Sequence, residues 1–177
     1  MRRLFALLLL PVALPAQQIT DIRILPPIAH RWSLMYREFT TEWLDCVYGR
    51  IDGGTLLIVA ALPADAPPSV STPNNTDGLC VPLDTLLIGD AHNHPQDVLI
   101  RSQSTPSSGE RFHVLPGTDQ CYLSPQDWQT FMANAGQQVS VVICGQGEFI
   151  AFLRNREGAR CRYDPEARTP RCLLAKP

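Results

Sequence analysis

Two β-rich runs, residues 47–51 and 55–62, are separated only by Asp52-Gly53-Gly54. Branched and aromatic residues favour pleated backbone, and the Gly-Gly pair supplies the positive φ angles of a tight hairpin. Before this hairpin, residues 30–40 (HRWSLMYREFT) set Trp32, Met35, Tyr36 and Phe39 on one helical face, which predicts an amphipathic helix. After it, residues 85–94 begin as a further apolar strand, and a helix is predicted from Ser124 to about Asn134, ended near Gly136. Residues 139–144 and 149–153 read as two more strands, joined around Gly145-Gln146-Gly147. The order helix, hairpin, strand, helix, hairpin predicts one α/β domain, a single mixed β-sheet with flanking helices. No internal repeat is present.

Two stretches break this regularity. Residues 63–78 (PADAPPSVSTPNNTDG) are a loop by composition. Residues 96–120 are polar and rich in Ser, Gly and Pro without a clear period, so they read as a long loop, of the kind that often forms a lid or binding segment. The chain as a whole is ordinary for a globular domain, at 45% hydrophobic and 18% charged, which excludes a disordered or collagen-like polymer. A formal net charge of -2 excludes a broadly basic nucleic-acid binder.

Residues 1–16 (MRRLFALLLLPVALPA) have a positive start at Arg2 and Arg3, an apolar stretch, and a helix-breaking end with a small residue before Gln17. That is the layout of a cleaved secretory signal peptide, and the apolar run is shorter than the roughly 20 residues needed to span a bilayer. Export to the periplasm or medium is the expectation, with no stable membrane anchor after cleavage. The six cysteines then face an oxidising compartment, where disulfides persist. Cys161 and Cys172 bracket a polar, Pro-containing tail, so a local bridge is expected there. Cys80 with Cys121 would tie together the segments flanking the His-rich stretch, and Cys46 with Cys144 would join two predicted strands. Cys46 and Cys144 lie in apolar runs and fit buried free thiols as an alternative.

Candidate chemistry lies between residues 42 and 127. His92-Asn93-His94-Pro95 carries histidines at i and i+2, which on a strand face the same side and can share one metal ion. For an isolated H-x-H, two partly exposed histidines at a strand end are the plainer explanation. Leu123-Ser124-Pro125-Gln126-Asp127 has Ser at a helix N-cap, Pro at the first helical position and an acid at the third. The same cap leaves the Asp127 carboxylate free to ligate a metal and the Ser124 hydroxyl beside it. Glu42, in Thr41-Glu42-Trp43-Leu44-Asp45-Cys46-Val47-Tyr48-Gly49, sits where the predicted helix gives way to the first strand, and by itself is an ordinary solvated glutamate.

Together these elements resemble one family. Glu42 seven residues before Gly49, the hairpin, His92-Asn93-His94-Pro95, and then Ser124-x-x-Asp127 look like the JAMM motif of the MPN+ (JAB/Mov34/PAD-1) zinc metalloproteases. The resemblance runs from about residue 28 to 153, and four elements in the right order are far more specific than any one. It implies the MPN/JAB, cytidine-deaminase-like architecture over residues 28–154. Residues 1–16 would be the leader, 17–27 a linker, 96–120 an insertion, and 155–177 a disulfide-stapled tail. It further implies Zn2+ held by His92, His94 and Asp127, Glu42 as general base and Ser124 as a stabiliser of the oxyanion. Three protein ligands with one open position is the catalytic form of a zinc site. The implied reaction is hydrolysis of an amide or isopeptide bond in a peptide or protein substrate.

The chain departs from the family pattern in one place. The family has a short gap between the His-Pro pair and the serine, whereas here residues 96–123 intervene. Either this is an inserted lid or recognition loop, or the acidic ligand lies earlier, at Glu110 in Thr105-Pro106-Ser107-Ser108-Gly109-Glu110. Asp127 is preferred, because a helical run and then a strand follow it and nothing helical follows Glu110. His113 reads as a solvated loop residue, His30 as structural, and Trp43 and Trp128 as packing beneath the site. Two other functions compete with the peptidase: a non-catalytic MPN-fold binding module outside the cytoplasm, and a cysteine hydrolase using His92 or His94 as base. Metal analysis with a Glu42→Ala variant separates the first, and a thiol titration the second.

Overall fold

A computed structural model describes residues 18–39, 41–65, 78–80, 86–94, 100–101, 112–113, 121–155, 158–164 and 166–174. The leader 1–16 and Glu110 lie outside the described residues.

The hairpin forms as the Gly-Gly pair demands. Strands β2 (Leu44–Asp52) and β3 (Thr55–Pro63) are antiparallel, with Asp52 opposite Thr55. Gly53 and Gly54 take φ of 54° and 86°, which a two-residue primed turn requires and side chains resist. Helix α1 (Pro26–Glu38) precedes it. It starts four residues earlier than its apolar stripe suggests, because Pro26-Pro27 at the first turn fit fixed φ and lost N–H groups there.

Around the hairpin the chain builds one mixed eight-stranded sheet in the order β1-β3-β2-β4-β7-β8-β9-β10. Its other strands are β1 (Asp21–Ile24), β4 (Leu87–Asn93), β7 (Val139–Gly145), β8 (Glu148–Leu153), β9 (Gly158–Asp164) and β10 (Thr169–Leu174). β1 runs parallel to β3 and β4 parallel to β7, and every other pair is antiparallel. The sheet curls until β1 and β10 lie alongside each other, so it is nearly closed. Two-residue strands β5 (Ile100–Arg101) and β6 (Phe112–His113) pair separately within the long polar segment. Helix α2 (Pro125–Ala133) completes the elements.

Two regions differ from expectation. Within the expected linker, Asp21–Ile24 form β1 and Pro26 starts α1; Ile22 and Ile24 are buried against the core. The C-terminal region is a hairpin of the same sheet. In β9 the side chains of Ala159, Cys161 and Tyr163 are buried while those between them are exposed, the alternation of a strand with one wet face.

The sheet has two unequal faces. One surrounds α1, which touches β3, β7, β9 and β10 from within the curl. Trp32 is fully buried there, edge-on to Phe149 with ring centroids 5.7 Å apart. Asp45, buried on β2, accepts hydrogen bonds from Trp32 Nε1 (2.7 Å) and from Arg31, which fastens the helix to the sheet. Burial pushes the Asp45 pKa up, against the pull of Arg31 and Trp32. The other face carries α2 over a small core of Leu123, Phe131 and Val142, with Trp128, Cys144 and Phe152 at its margin.

All six cysteines are paired. Cys161–Cys172 forms as expected, between residues directly opposite in the β9–β10 register. The other two expected pairs are corrected: the bonds are Cys46–Cys80 and Cys121–Cys144, not Cys80–Cys121 and Cys46–Cys144. β4 lies between β2 and β7. In register Cys46 faces Asp90 and Asp90 faces Ser140, so Cys144 lies two strands across and four residues further along, well beyond the roughly 7 Å that a disulfide spans between Cα atoms. Instead a bridge between Asp65 and Leu79 returns the chain beside the hairpin and delivers Cys80 to Cys46, while Cys121 reaches the end of β7. Three disulfides fit an oxidising, extracellular location. Among the described residues no helix is long and apolar enough to cross a membrane.

Candidate metal centre

His92 and His94 stand at the end of β4, in the middle of the sheet. The strand is held on both sides: Leu44 of β2 and Val142 of β7 both face His92 in register, and His94 N donates to the Ile143 carbonyl at 3.1 Å. Strand alternation turns Asp90, His92 and His94 toward the α2 face. Gly89 makes this close pairing possible, because a side chain there would overlap the Val139 carbonyl oxygen.

Asp127 arrives from the other side, on the first turn of α2. Ser124 caps that helix: its Oγ accepts from Asp127 N at 3.2 Å, and Ser124 N donates to Asp127 Oδ2 at 2.9 Å. The capping box aims the carboxylate at the histidines. Asp127 Oδ2 lies 3.7 Å from His92 Nε2 and 3.9 Å from His94 Nε2. The candidate ligand is therefore also the N3 member of the capping box. The Ser124 oxygen accepts from a backbone N–H, which leaves its own hydrogen for another acceptor.

One potential ligand atom from each of His92, His94 and Asp127 lies within 4.8 Å of the others, so the group can hold a metal ion. Tetrahedral zinc with bonds of about 2.0–2.1 Å holds its ligand atoms about 3.3 Å apart. The observed spacings are slightly wider, within reach of small side-chain rotations. Both histidines are only 7% exposed, and His92 Nε2 is buried with no hydrogen-bond partner among the described residues. An orphaned imidazole nitrogen facing a carboxylate and a second imidazole fits a cation between them.

The electrostatics agree. Burial pushes the His92 pKa down, but the pull of the Asp127 and Asp90 carboxylates outweighs it and raises it to about 10. Burial pushes Asp127 up, yet His92 and the Ser124 cap win and hold its carboxyl well below the ordinary carboxylate range. Without metal, a proton on His92 balances the Asp127 charge.

Glu42 is half-buried and lies just before β2. Asn93, between the two histidines and fully buried, grips the backbone on both sides of Glu42. Its Oδ1 accepts from Trp43 N at 2.7 Å, and its Nδ2 donates to the Thr41 carbonyl at 3.2 Å. This clip continues the β2–β4 pairing past Leu44–His92 and brings Glu42 to the same end of the sheet as His94.

Three contributors besides Asn93 escape a reading of the sequence. Asp90 Oδ1 lies 3.8 Å from His92 Nδ1, and the Asp90 carboxylate is itself held by Ser140 Oγ and Gln137 Nε2, each at 2.6 Å. Its only signal is its place two residues before His92 on one strand. Tyr122, half-exposed, stands edge-on to His94 with ring centroids 5.2 Å apart. Arg154 pins the far end of α2 through the carbonyls of Phe131, Met132 and Asn134, and of Gln137 beyond it. Trp43 is buried as expected, Trp128 on α2 is partly buried against the small core, and His30 is exposed near Tyr163.

No protein-family model matches the chain, and no curated protein matches it.

Proposed function

We propose that this chain is an exported, zinc-dependent metallopeptidase of the JAMM type, cleaving an amide or isopeptide bond in a peptide or protein outside the cytoplasm. The observation that carries this reading is the meeting of His92, His94 and Asp127, from a strand end and a helix start, around a buried imidazole nitrogen with no hydrogen-bond partner among the described residues. Three protein ligands of this kind leave one position for the reaction. Bound there, zinc supplies Lewis acidity, lowering the pKa of a coordinated water to about 7 and polarising the substrate carbonyl.

The chain's own residues divide the remaining work. Glu42 takes the proton of the attacking water and hands it to the departing amine, so no covalent intermediate forms. Asn93 fixes the Glu42 backbone. The Ser124 hydroxyl donates to the oxygen that gains negative charge as the carbonyl carbon becomes tetrahedral. Asp90 holds the Nδ1 side of His92, which keeps Nε2 turned toward the ligand cluster. A cysteine hydrolase is not supported, since every cysteine is in a disulfide.

The test is a comparison of zinc-loaded wild type and Glu42→Ala on an extracytoplasmic protein fraction, with new termini mapped by mass spectrometry. Cleavage by the wild type, reduced about 10²–10⁴-fold in a variant that still carries zinc, supports the peptidase. Zinc binding by both proteins without any Glu42-dependent cleavage favours the binding module.

A further inference from the structure

The three candidate ligands come from two segments with very different support. His92 and His94 are embedded between β2 and β7. Asp127 belongs to a short helix over a small core, and that helix is pinned at its far end by Arg154. At its near end stands the Cys121–Cys144 disulfide. Cys121 is three residues before the Ser124 cap and six before Asp127. Cys144 follows Ile143, whose carbonyl accepts from His94 N. Val142, two residues earlier and on the same side of β7 as Cys144, is the register partner of His92. The disulfide therefore joins the Asp127 segment covalently to the strand that supports the histidines.

We infer that Cys121 and Cys144 are positioning residues for the metal centre, their disulfide holding Asp127 against His92 and His94 before metal arrives. This rests on the metal site of the proposed function but not on peptidase activity. A preformed site spares the metal the entropy of ordering the Asp127 segment. With the bond gone, Leu123, the Tyr122–His94 ring contact and the cap restrain that end of α2 among the described residues. The other two disulfides lack this geometry. Cys46–Cys80 ties β2 to the segment after the hairpin, and Cys161–Cys172 closes the C-terminal hairpin.

The test uses zinc itself as the probe, by competition with a chromophoric chelator. Cys121→Ala/Cys144→Ala should bind zinc about 10–100-fold more weakly than wild type, the usual cost of losing support behind a metal ligand. Cys46→Ala/Cys80→Ala should stay close to wild type. Unchanged affinity in the first variant overturns the inference while leaving the metal site standing. A wild type that binds no zinc overturns both. A second measurement needs no variant: by reciprocity, saturating zinc should make Cys121–Cys144 harder to reduce by the same factor, leaving Cys46–Cys80 unmoved. Glutathione-poised samples, alkylated and analysed by peptide mass, read this directly. Equal reduction of Cys121–Cys144 with and without zinc contradicts the inference even if the first variant fails to fold.

Discussion

His92 Nε2 and Asp127 Oδ2 lie 3.7 Å apart, although one belongs to a central strand and the other to the cap of a surface helix. With His92 protonated the pair is an ionic contact, in a place where charge is costly. A bound cation would take the proton's place. The same geometry thus gives the fold two ways to neutralise one carboxylate.

Metal binding must then expel the proton of His92. Its pKa stands at about 10 in the metal-free chain, so zinc affinity should rise about tenfold per pH unit between pH 6 and 8. Titration calorimetry in buffers of different ionisation enthalpy should find about one proton released per zinc. Affinity that does not change across this range would show that His92 binds no metal.

Metal-free stability has the matching sign. The folded pKa of His92 is raised above the unfolded 6.5, so its contribution is complete below about pH 6.5 and is lost as pH rises toward 10. Asp127 is lowered, so its contribution is present above 3.8 and lost as pH falls through its folded value. Urea unfolding of zinc-free protein should therefore show stability falling from pH 7 to 9.5, and His92→Ala should flatten that slope.

Asn93 is fully buried and makes two hydrogen bonds across to the Glu42 segment. Asn93→Ala leaves Trp43 N and the Thr41 carbonyl to find new partners and should cost about 1–3 kcal/mol. Chemical denaturation gives the stability. In the folded variant zinc affinity should persist while cleavage falls, because the clip serves Glu42 and not the ligands. Equal activity in Asn93→Ala and wild type would remove Asn93 from the site.

Gly89 marks where β4 and β7 approach too closely for a side chain. Gly89→Ala should destabilise by about 1–3 kcal/mol, as overpacking does, and weaken zinc binding by displacing the strand end. Gly53→Ala, with nothing near its Cβ position but a φ of 54°, should cost stability and leave zinc affinity alone. Thermal melts and zinc titrations of the two variants distinguish these effects.

Local signals carried much of the fold. The Gly53-Gly54 turn, the apolar stripe of α1 and the Ser124-x-x-Asp127 cap each depend on neighbouring residues, so they are readable in order along the chain. Sheet order is not local. Nothing near Cys46 or Cys144 announces that β4 runs between their strands, and the disulfide expectations failed on that point. The four-residue β1 is too short for a period to stand out, and the alternation in β9 hides among arginines and cysteine. At the site, the resemblance named His92, His94 and Asp127 as ligands, and the fold brings the three together. Asp90, Asn93 and Tyr122 were not legible, because their roles come from strand pairing and from a disulfide that places Tyr122 beside His94.

The most direct measurement is metal content and zinc affinity of the purified chain beside Asp127→Ala and His94→Ala. One zinc per wild-type chain, with affinity falling at least about 100-fold in either folded variant, is the expected result. A folded wild type that binds no zinc, or variants that bind it as tightly as wild type, would contradict the metal centre on which the proposed activity stands.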